Sequence, residues 1–184
     1  MVAGKIKKCK ICHQEYRQFR SMDKVCSLDC AVALAKQQTK AEADKAIRKD
    51  TQRRKEKIKT KSDWAREAQK EFNAYIRLRD HDKPCISCGR HHDGQYHAGH
   101  YRTVGAHPEL RFNEDNCHKQ CAPCNNHKSG DIVNFRLNLI DKIGADRLEV
   151  LEGKHEPAKY TIDDLKDIKA HYREQVKRLK RETA

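Results

Sequence analysis

The residues best suited to chemistry are concentrated between positions 85 and 128. Two cysteine pairs bound this stretch, Cys85 with Cys88 and Cys121 with Cys124, and 32 residues separate the pairs. Pairs with this spacing are typical of ligands that converge on one zinc ion. Because four thiolates fill a tetrahedral coordination sphere and leave no position for a substrate, we predict a structural zinc site here.

Histidines and asparagines within the same stretch suggest a second, catalytic centre. Eight of the eleven histidines lie between positions 81 and 127. The segment from His97 to Tyr101 is midway between the cysteine pairs, where a β-hairpin would span the gap. A helix is expected to start at Asn125, directly after Cys124. A strand pair crossed by a helix can present a histidine and a second ligand to one divalent ion.

This predicted arrangement is that of the ββα-metal nucleases. In such a site one bound ion offsets the charge that develops on a phosphate and on its leaving oxygen. A histidine acts on water as the general base, for which its pKa near neutrality suits it. The spacing therefore predicts phosphodiester hydrolysis in addition to a structural metal site.

Five parts of the central stretch form a recognisable set: DKPCISCG at 82–89, AGHYRT at 98–103, LRFN at 110–113, Asn116, and HKQCAPCNNHKSG at 118–130. Together they resemble the NinG family of lambdoid phage recombination proteins, also called the Rap family. The likeness extends over nearly the whole chain. It implies an HNH-like endonuclease that acts on branched recombination intermediates such as Holliday junctions and D-loops. Its site would be similar to that of phage junction resolvases of the endonuclease VII type.

The resemblance also implies roles for individual residues. His100 matches the general base, Asn125 a ligand of a catalytic Mg²⁺ or Mn²⁺, and Asn116 the residue that fixes the loop and orients the base. Members of the wider HNH group often have Asp or His directly before the base, whereas this chain has Gly99. We expect His97 to be the substitute metal ligand.

Other polar residues of the stretch are candidates for contacts to phosphate. His118 and His127 are alternatives as metal or phosphate ligands, and Cys117, the ninth cysteine, is expected to be a buried or idle thiol. Four basic residues are predicted DNA contacts: Arg102, Arg111, Lys119 and Lys128.

Composition limits the class of protein. Of the 184 residues, 36% are hydrophobic and 36% are charged, so a large apolar core is excluded and small units stabilised by metal are expected. A formal charge of +13 favours a polyanionic partner, DNA or RNA, over a membrane surface. No apolar run is long enough for a membrane span or a signal peptide, so we predict a cytoplasmic protein without membrane contact. In that reducing compartment, paired cysteines indicate zinc rather than disulfides.

A second cysteine cluster lies near the N-terminus. Cys9 and Cys12 form one close pair, and Cys26 and Cys30 form another. We predict a second structural zinc in an N-terminal finger of ribbon or treble-clef type over residues 1–35. Free thiols or a redox CxxC motif are the alternative.

The segment over residues 36–61 is strongly basic. It contains 11 Lys and Arg against 4 Asp and Glu, no Gly or Pro, and no apolar stripe, which predicts a long solvated helix. Such a helix could be a plain linker or an arm along the phosphate backbone, and we favour a linker that also touches DNA. Its predicted DNA contacts are Arg53, Arg54 and Lys55.

Residues 62–184 are predicted to form the nuclease domain with its flanking helices. A helix from about Ser62 to Asp80, with Ser62 or Asp63 as its N-cap, presents an apolar face that includes Trp64. Further helices are predicted over 131–143, over 145–152 and from Thr161 onward. The last one carries an apolar stripe that could pack on the preceding helices or on a second chain: Leu165, Ile168, Tyr172, Val176 and Leu179.

Together these patterns predict an α+β, mostly helical protein: a small zinc-stabilised ββα-metal unit of the HNH-like or His-Me finger type, flanked by helices, plus an N-terminal zinc finger. The function expected is structure-specific cleavage of branched DNA in phage recombination. Paired cuts need two active sites, so a homodimer is expected, with the last helix as a candidate seam. A protein that binds branched DNA without cutting it is the alternative, which Gly99 favours, and an RNA-binding or RNA-processing protein is another.

Overall fold

The computed structural model describes residues 5–18, 20 and 22–182 and divides into two compact units, Met1–Ile58 and Lys59–Ala184. The division predicted from sequence, at 1–35, 36–61 and 62–184, places the basic segment by itself. In the structure most of that segment continues the helix of the first unit. The outer ends of the predicted domains, residues 1 and 184, lie outside the described residues.

The first unit consists of a short hairpin and one long helix. Strands β1 (Ile6–Lys8) and β2 (Glu15–Arg17) pair antiparallel, with Lys7 opposite Tyr16. Helix α1 (Leu28–Lys57) begins after Ser27, whose hydroxyl accepts a hydrogen bond from the backbone N–H of Cys30. None of the 30 residues of α1 is buried, as expected for a helix that is polar on all sides.

The second unit begins with α2 (Lys61–Arg79). Its N-cap is Thr60 rather than Ser62 or Asp63, because the Thr60 hydroxyl and the Asp63 carboxylate form a reciprocal capping box. The predicted apolar face is confirmed, since Trp64, Ala68, Phe72 and Ile76 are all buried.

A second antiparallel hairpin lies at the centre of this unit, as the spacing of the cysteine pairs predicts. Its strands are β3 (Tyr96–His100) and β4 (Cys117–Cys121), and a 3-10 turn at Pro108–Leu110 lies in the loop between them. Cross-strand neighbours are His100 with Cys117 and Gly99 with His118.

The helix expected to start at Asn125 does not do so. Asn125 lies in a single π-helical turn, Pro123–His127, and α3 (Ile132–Ile143) begins seven residues later. Ser129, Gly130 and Asp131 separate the two elements with φ angles of 49°, 88° and 46°. Three successive residues in the left-handed region cannot continue a right-handed helix, so the chain turns before α3 starts.

The remaining helices match their predicted bounds closely. Helix α3 ends at Gly144, with φ 86°, and α4 spans Ala145–Glu152. Helix α5 (Ile162–Glu182) starts at the predicted capping pair, because the backbone N–H of Thr161 bonds to Asp164 and the backbone N–H of Asp164 bonds to the Thr161 hydroxyl.

The apolar stripe of α5 packs on α2 within the same chain. Leu165 is 1% exposed against Trp64 and Ala68, and Tyr172 lies against Phe72. This part of the stripe is therefore already covered, which leaves less of α5 for the predicted dimer seam.

The described part of the chain is thus mostly helical with two small sheets, which confirms an α+β fold. None of the helices described is long and apolar enough to cross a membrane.

Candidate active site and metal centres

The central cysteine cluster has the geometry expected of a zinc site. The sulfur atoms of Cys85, Cys88, Cys121 and Cys124 all lie within 4.8 Å of one another. The backbone N–H of Cys121 donates to Cys85 Sγ at 3.3 Å, which stabilises a thiolate. Gly89, with φ 65°, closes the first cysteine turn by donating its N–H to the carbonyl of Cys85. The donor set therefore fits zinc, which would hold the cysteine turns together.

One histidine near this cluster was not singled out by the sequence. His92 Nε2 lies 3.2 Å from Cys88 Sγ, and Tyr96 Oη lies 2.6 Å from the backbone N of His92. An imidazole N–H at this distance can donate to the thiolate of a zinc ligand. Because His92 is in a polar loop between the motifs, sequence spacing gave no signal for this contact.

The N-terminal cluster also brings four sulfur atoms together. Cys9, Cys12, Cys26 and Cys30 have their Sγ atoms within 4.8 Å of one another, and those of Cys12 and Cys26 are 3.4 Å apart. Cys9 is buried, whereas Cys12 and Cys26 are exposed. The two predicted four-cysteine groups are therefore both assembled in the structure, and both could bind zinc.

His100, the predicted base, lies at the end of β3. Its Nε2 is 3.0 Å from the carbonyl oxygen of Arg111, which can only accept, so Nε2 carries the proton. The lone pair is then on Nδ1, 3.6 Å from Cys117 Sγ. Burial against Phe72 lowers the pKa of His100 below its ordinary value, although the Arg111 carbonyl opposes this shift. The imidazole is therefore neutral near pH 7.

Cys117 fits the prediction of a buried thiol. It is 0% exposed, and burial raises the pKa of its thiol well above the ordinary range. Its sulfur therefore keeps its proton and can offer only a weak hydrogen bond to His100 Nδ1.

Asn116 anchors the long loop between β3 and β4. Its side chain is fully buried and donates to the carbonyl oxygens of Arg102 and Leu110. Its Oδ1 accepts from the backbone N–H of Arg102 at 2.7 Å. These bonds tie together the start and the end of the loop that carries Arg111, the residue whose carbonyl holds His100. This is the geometry that a loop-fixing residue requires.

Gly99 occupies the position where a metal ligand was expected, and the structure gives a physical reason for glycine. A Cβ atom at this position would lie 2.9 Å from Gln120 Cδ and closer still to Gln120 Oε1. Gln120 cannot move aside freely, because its amide is buried and donates to Ser87 Oγ and to the carbonyl of Gly130. The space in front of Gly99 is thus filled by a side chain that ties the first cysteine turn to the segment before α3.

The structure does not bring His97 and His100 onto one face of the hairpin. Residues three apart on a strand point to opposite sides. His100 lies opposite Cys117 and against Phe72 of α2, whereas His97 lies opposite Gln120. The Nε2 atom of His97 is buried and has no hydrogen-bond partner. Asn125, the other predicted ligand, donates its side-chain amide to Asn126 Oδ1.

A preformed cage for a catalytic ion is therefore not present in the described residues. Among them, the two cysteine clusters are the only groups of three or more His, Cys, Asp or Glu whose ligand atoms converge. The residues around His100 do not fit a Mg²⁺ site built from protein ligands alone.

One predicted DNA contact, Lys119, and one alternative ligand, His118, are buried. Lys119 is 5% exposed, donates from Nζ to the carbonyl of His81 at 2.8 Å, and lies over the Tyr96 ring. His118 is 2% exposed; its Nδ1 accepts a hydrogen bond from Arg79, and its Nε2 donates to the carbonyl of Asp115 at 3.0 Å. This burial does not favour the predicted DNA contact of Lys119 or the alternative role of His118 as a metal or phosphate ligand.

The other predicted DNA contacts are at least partly accessible. His127, the last residue of the π-helical turn, and Lys128 are both exposed. Arg111 donates to Gln69, and Arg102 donates to the carbonyl of Glu152 while its Nε is buried without a partner. The three DNA contacts predicted on α1 are exposed: Arg53, Arg54 and Lys55. Arg53 and Arg54 also form ion pairs with Asp50.

A buried carboxylate organises the region behind the hairpin, and the sequence gave no signal for it. Asp80 is 3% exposed and accepts from Arg79 and from the backbone N–H of Lys119, with Lys142 Nζ at 3.1 Å. Burial alone would raise the pKa of Asp80, but the hydrogen bonds from Arg79 and the positive charges of Arg79 and Lys142 lower it far below its ordinary range. The carboxylate therefore links α2, β4 and α3.

Comparison with known proteins gives the family. The family model described as the bacteriophage lambda NinG protein matches residues 1–182. The NinG protein of Escherichia phage 933W is 40% identical over 188 residues, covering 95% of this chain and 94% of its own length. That of Escherichia phage lambda is 49% identical over 127 residues, covering 69% of this chain and 62% of its own.

No solved structure matches this chain. The motifs around the central cysteine pairs resemble the NinG family, and the family model and the phage relatives agree with that resemblance. The chain belongs to the NinG family of lambdoid phage proteins.

Proposed function

We propose that this protein is an endonuclease that cuts branched DNA recombination intermediates such as Holliday junctions and D-loops. The observation that carries the proposal is the environment of His100: a neutral imidazole at the end of β3, oriented by the Arg111 carbonyl. A general base for water needs an unprotonated ring nitrogen and a fixed ring. The β3–β4 hairpin, beside the proposed zinc site, supplies a rigid support for this ring.

The protein's own residues would act as follows. His100 Nδ1 takes a proton from a water molecule as the water oxygen forms a bond to phosphorus and the bond to the leaving 3′ oxygen breaks. Nε2 stays bonded to the Arg111 carbonyl, which stabilises the positive charge that forms on the ring. The Cys117 thiol is a weak donor, so water can displace it from Nδ1.

Divalent metal, Mg²⁺ or Mn²⁺, is part of the proposal as a requirement to be tested. Mg²⁺ commonly uses one or two protein ligands and completes its shell with water and substrate phosphates. A site of this type therefore needs no preformed cage of three or more protein ligands.

Branched-DNA preference would come from charge and shape rather than from base sequence. Residues 1–58 contain 16 Lys and Arg against 7 Asp and Glu, and residues 59–184 contain 24 against 20. The N-terminal third thus carries +9 of the total +13, and its exposed α1 is suited to phosphate contacts. Paired cuts across a junction would require two copies of the chain.

The proposal is tested with His100→Ala and, as a matched control, His91→Ala in the exposed loop. We expect the first variant to lose cleavage of a synthetic four-way junction by about 10²–10⁴-fold, the usual contribution of a general base, and to keep its affinity for the junction. His91→Ala should cut at the wild-type rate. Cleavage should also persist below about pH 6.5, the ordinary histidine pKa, because the pKa of His100 is lowered.

A protein that binds branched DNA without cutting it is the second candidate. It is favoured by the coverage of His100 Nδ1 by Cys117 and by the filled space at Gly99. If purified wild-type protein with zinc bound never nicks a junction in Mg²⁺ or Mn²⁺ yet binds it more tightly than plain duplex, this candidate replaces the nuclease.

A further inference from the structure

A cleft of about 460 Å³ lies between the β3–β4 loop and α5, and the proposed reaction does not use it. Its walls are mostly rings and aliphatic groups, with a few hydrogen-bond acceptors. The rings of Phe112, Tyr160, His171 and Tyr172 line it, together with the carboxylates of Glu109 and Asp167.

The rings of this cleft form a connected set. Phe112 and Tyr160 pack edge to face with centroids 5.3 Å apart, and His171 and Tyr172 do so at 4.9 Å. Tyr160 is fixed because its hydroxyl donates to the carbonyl of Glu109. Phe112 and Tyr160 are only partly buried, and His171 is exposed, so ring surface is available to a planar ligand.

The cleft lies close to His100, the proposed general base. Phe112 follows Arg111, whose carbonyl is bonded to His100 Nε2. The Phe112 ring also packs edge to face on Phe72 at 5.8 Å, and Phe72 in turn lies against His100. A ligand held on Phe112 would therefore lie one layer of side chains away from His100.

The charges in the cleft disfavour a phosphate group and favour a nucleobase. Glu109 and Asp167 line it, and a phosphate would be repelled by both carboxylates. Carboxylate oxygens can accept from the ring and amino N–H groups of nucleobases. Arg111 lies at the edge, with its guanidinium carbon 5.9 Å from the centre of the Phe112 ring, where it could pair with the adjoining phosphate.

We propose that this cleft binds an unpaired nucleobase of the DNA strand at the branch point, by stacking it on the aromatic rings. Planar bases stack on aromatic side chains whatever their identity, so such a site recognises an unpaired nucleotide without reading sequence. Resting on the proposed function, this names a preferred group among the branched substrates: those with unpaired nucleotides at the branch point.

The test compares an intact forked duplex with three abasic forks. In each abasic fork one of the first three unpaired nucleotides lacks its base, and its phosphates remain. Affinities are measured by fluorescence anisotropy with zinc bound and without added Mg²⁺ or Mn²⁺. We expect wild-type protein to bind the intact fork about tenfold more tightly than the abasic fork at one of these positions, from the loss of one stacked base.

Two variants locate that preference in the cleft. Phe112→Leu removes the ring but keeps an apolar side chain, and His171→Ala changes an exposed position that does not support the core. Both should lose most of the preference for the intact fork, whereas His91→Ala should keep it. Thermal unfolding identifies any variant that has lost its fold, and His171→Ala then decides the outcome.

The proposal is overturned if wild-type protein binds intact and abasic forks equally at all three positions, or if both folded variants keep the full preference. These results are independent of cleavage. A protein that shows the preference but never cuts DNA would contradict the nuclease and leave the base-binding cleft in place. A protein that cuts junctions but shows no preference for the intact fork would support the nuclease and contradict the base-binding cleft.

Discussion

The two four-cysteine clusters have the same ligands but very different surroundings. Among the described residues of the first unit only Cys9 and Gln18 are buried, and Cys12 and Cys26 are exposed. In the second unit three of the four cysteines are buried, beside a hairpin with several apolar clusters around it. The first cluster would therefore act as the core of its unit, whereas the second adds local order to a unit that has a core of its own.

Removing zinc should separate these two cases most clearly. Metal binding contributes about 10–16 kcal/mol to zinc-finger peptides, which have little other folding energy. Titration of the full chain with a chelator should therefore abolish amide-exchange protection in β1 and β2, while α2 and α5 stay protected. Zinc added back should restore the signals. Loss of protection in both units at the same chelator concentration would show that the second unit also depends on its metal.

The second largest effect is expected at Asp80, which stabilises the second unit without metal. Asp80→Asn leaves Arg79 and Lys142 without their buried carboxylate, so the free energy of unfolding should fall by roughly 3–5 kcal/mol at pH 7. Urea unfolding followed by circular dichroism measures this. Asp82→Asn, which changes an exposed carboxyl nearby, is the control and should have little effect.

The difference in stability between wild-type protein and Asp80→Asn should depend on pH, because the pKa of Asp80 is lowered in the folded protein. The pKa of Asp80 is lower in the folded protein than in the unfolded chain, so its contribution is fully present above the unfolded pKa of about 4. It is lost as the pH falls below that value. Wild-type protein and Asp80→Asn should therefore converge in stability under acid conditions, and a constant difference down to pH 2 would contradict this account.

A smaller effect is expected where Gln120 crosses Gly99. Gly99→Ala should lower the free energy of unfolding by about 2 kcal/mol, because Gln120 must give up buried hydrogen bonds to Ser87 and Gly130. Gly105→Ala is the matched control, since a Cβ there meets nothing within 4 Å. Thermal unfolding compares them. The cost of Gly99→Ala should largely disappear in a Gln120→Ala background, and an unchanged cost would place the strain elsewhere.

The smallest effect concerns DNA affinity and again compares the two units. Replacing Arg53, Arg54 and Lys55 with alanine should weaken binding and reduce the slope of log affinity against log salt by about 2–3, as expected for three lost phosphate contacts. The cleavage rate at saturating protein should not change. The control removes three charges from α5 instead, Lys177, Arg178 and Arg181, and an equal change in slope would mean that α1 is not the main phosphate contact.

Local patterns in the sequence were sufficient for much of this fold. The cysteine spacing predicted both clusters and the central hairpin, and Gly144 and Thr161 marked helix ends because caps depend on neighbouring residues. The buried position of Lys119 could not be predicted in the same way, since its environment depends on Asp80 and His81, almost 40 residues away. Only the folded chain brings them together.

In the candidate site, too, features that depend on residues distant in the sequence could not be predicted. The left-handed run at Ser129–Asp131 displaced the helix expected at Asn125, and its only sequence signal was Ser-Gly-Asp, a composition typical of turns. The separation of His97 from His100 was accessible from the sequence, because strand alternation places residues three apart on opposite faces. The filled space at Gly99 was not, since it depends on the path of Gln120.

The length of α1 sets a scale for any DNA complex. Its 30 residues extend roughly 45 Å along the helix axis, at about 1.5 Å per residue. A duplex aligned with this helix would be shielded over about thirteen base pairs, at 3.4 Å each, which is more than one full turn. Footprints on branched DNA should therefore include one arm protected well beyond the branch, and shortening α1 by whole turns should shorten that protected arm in step.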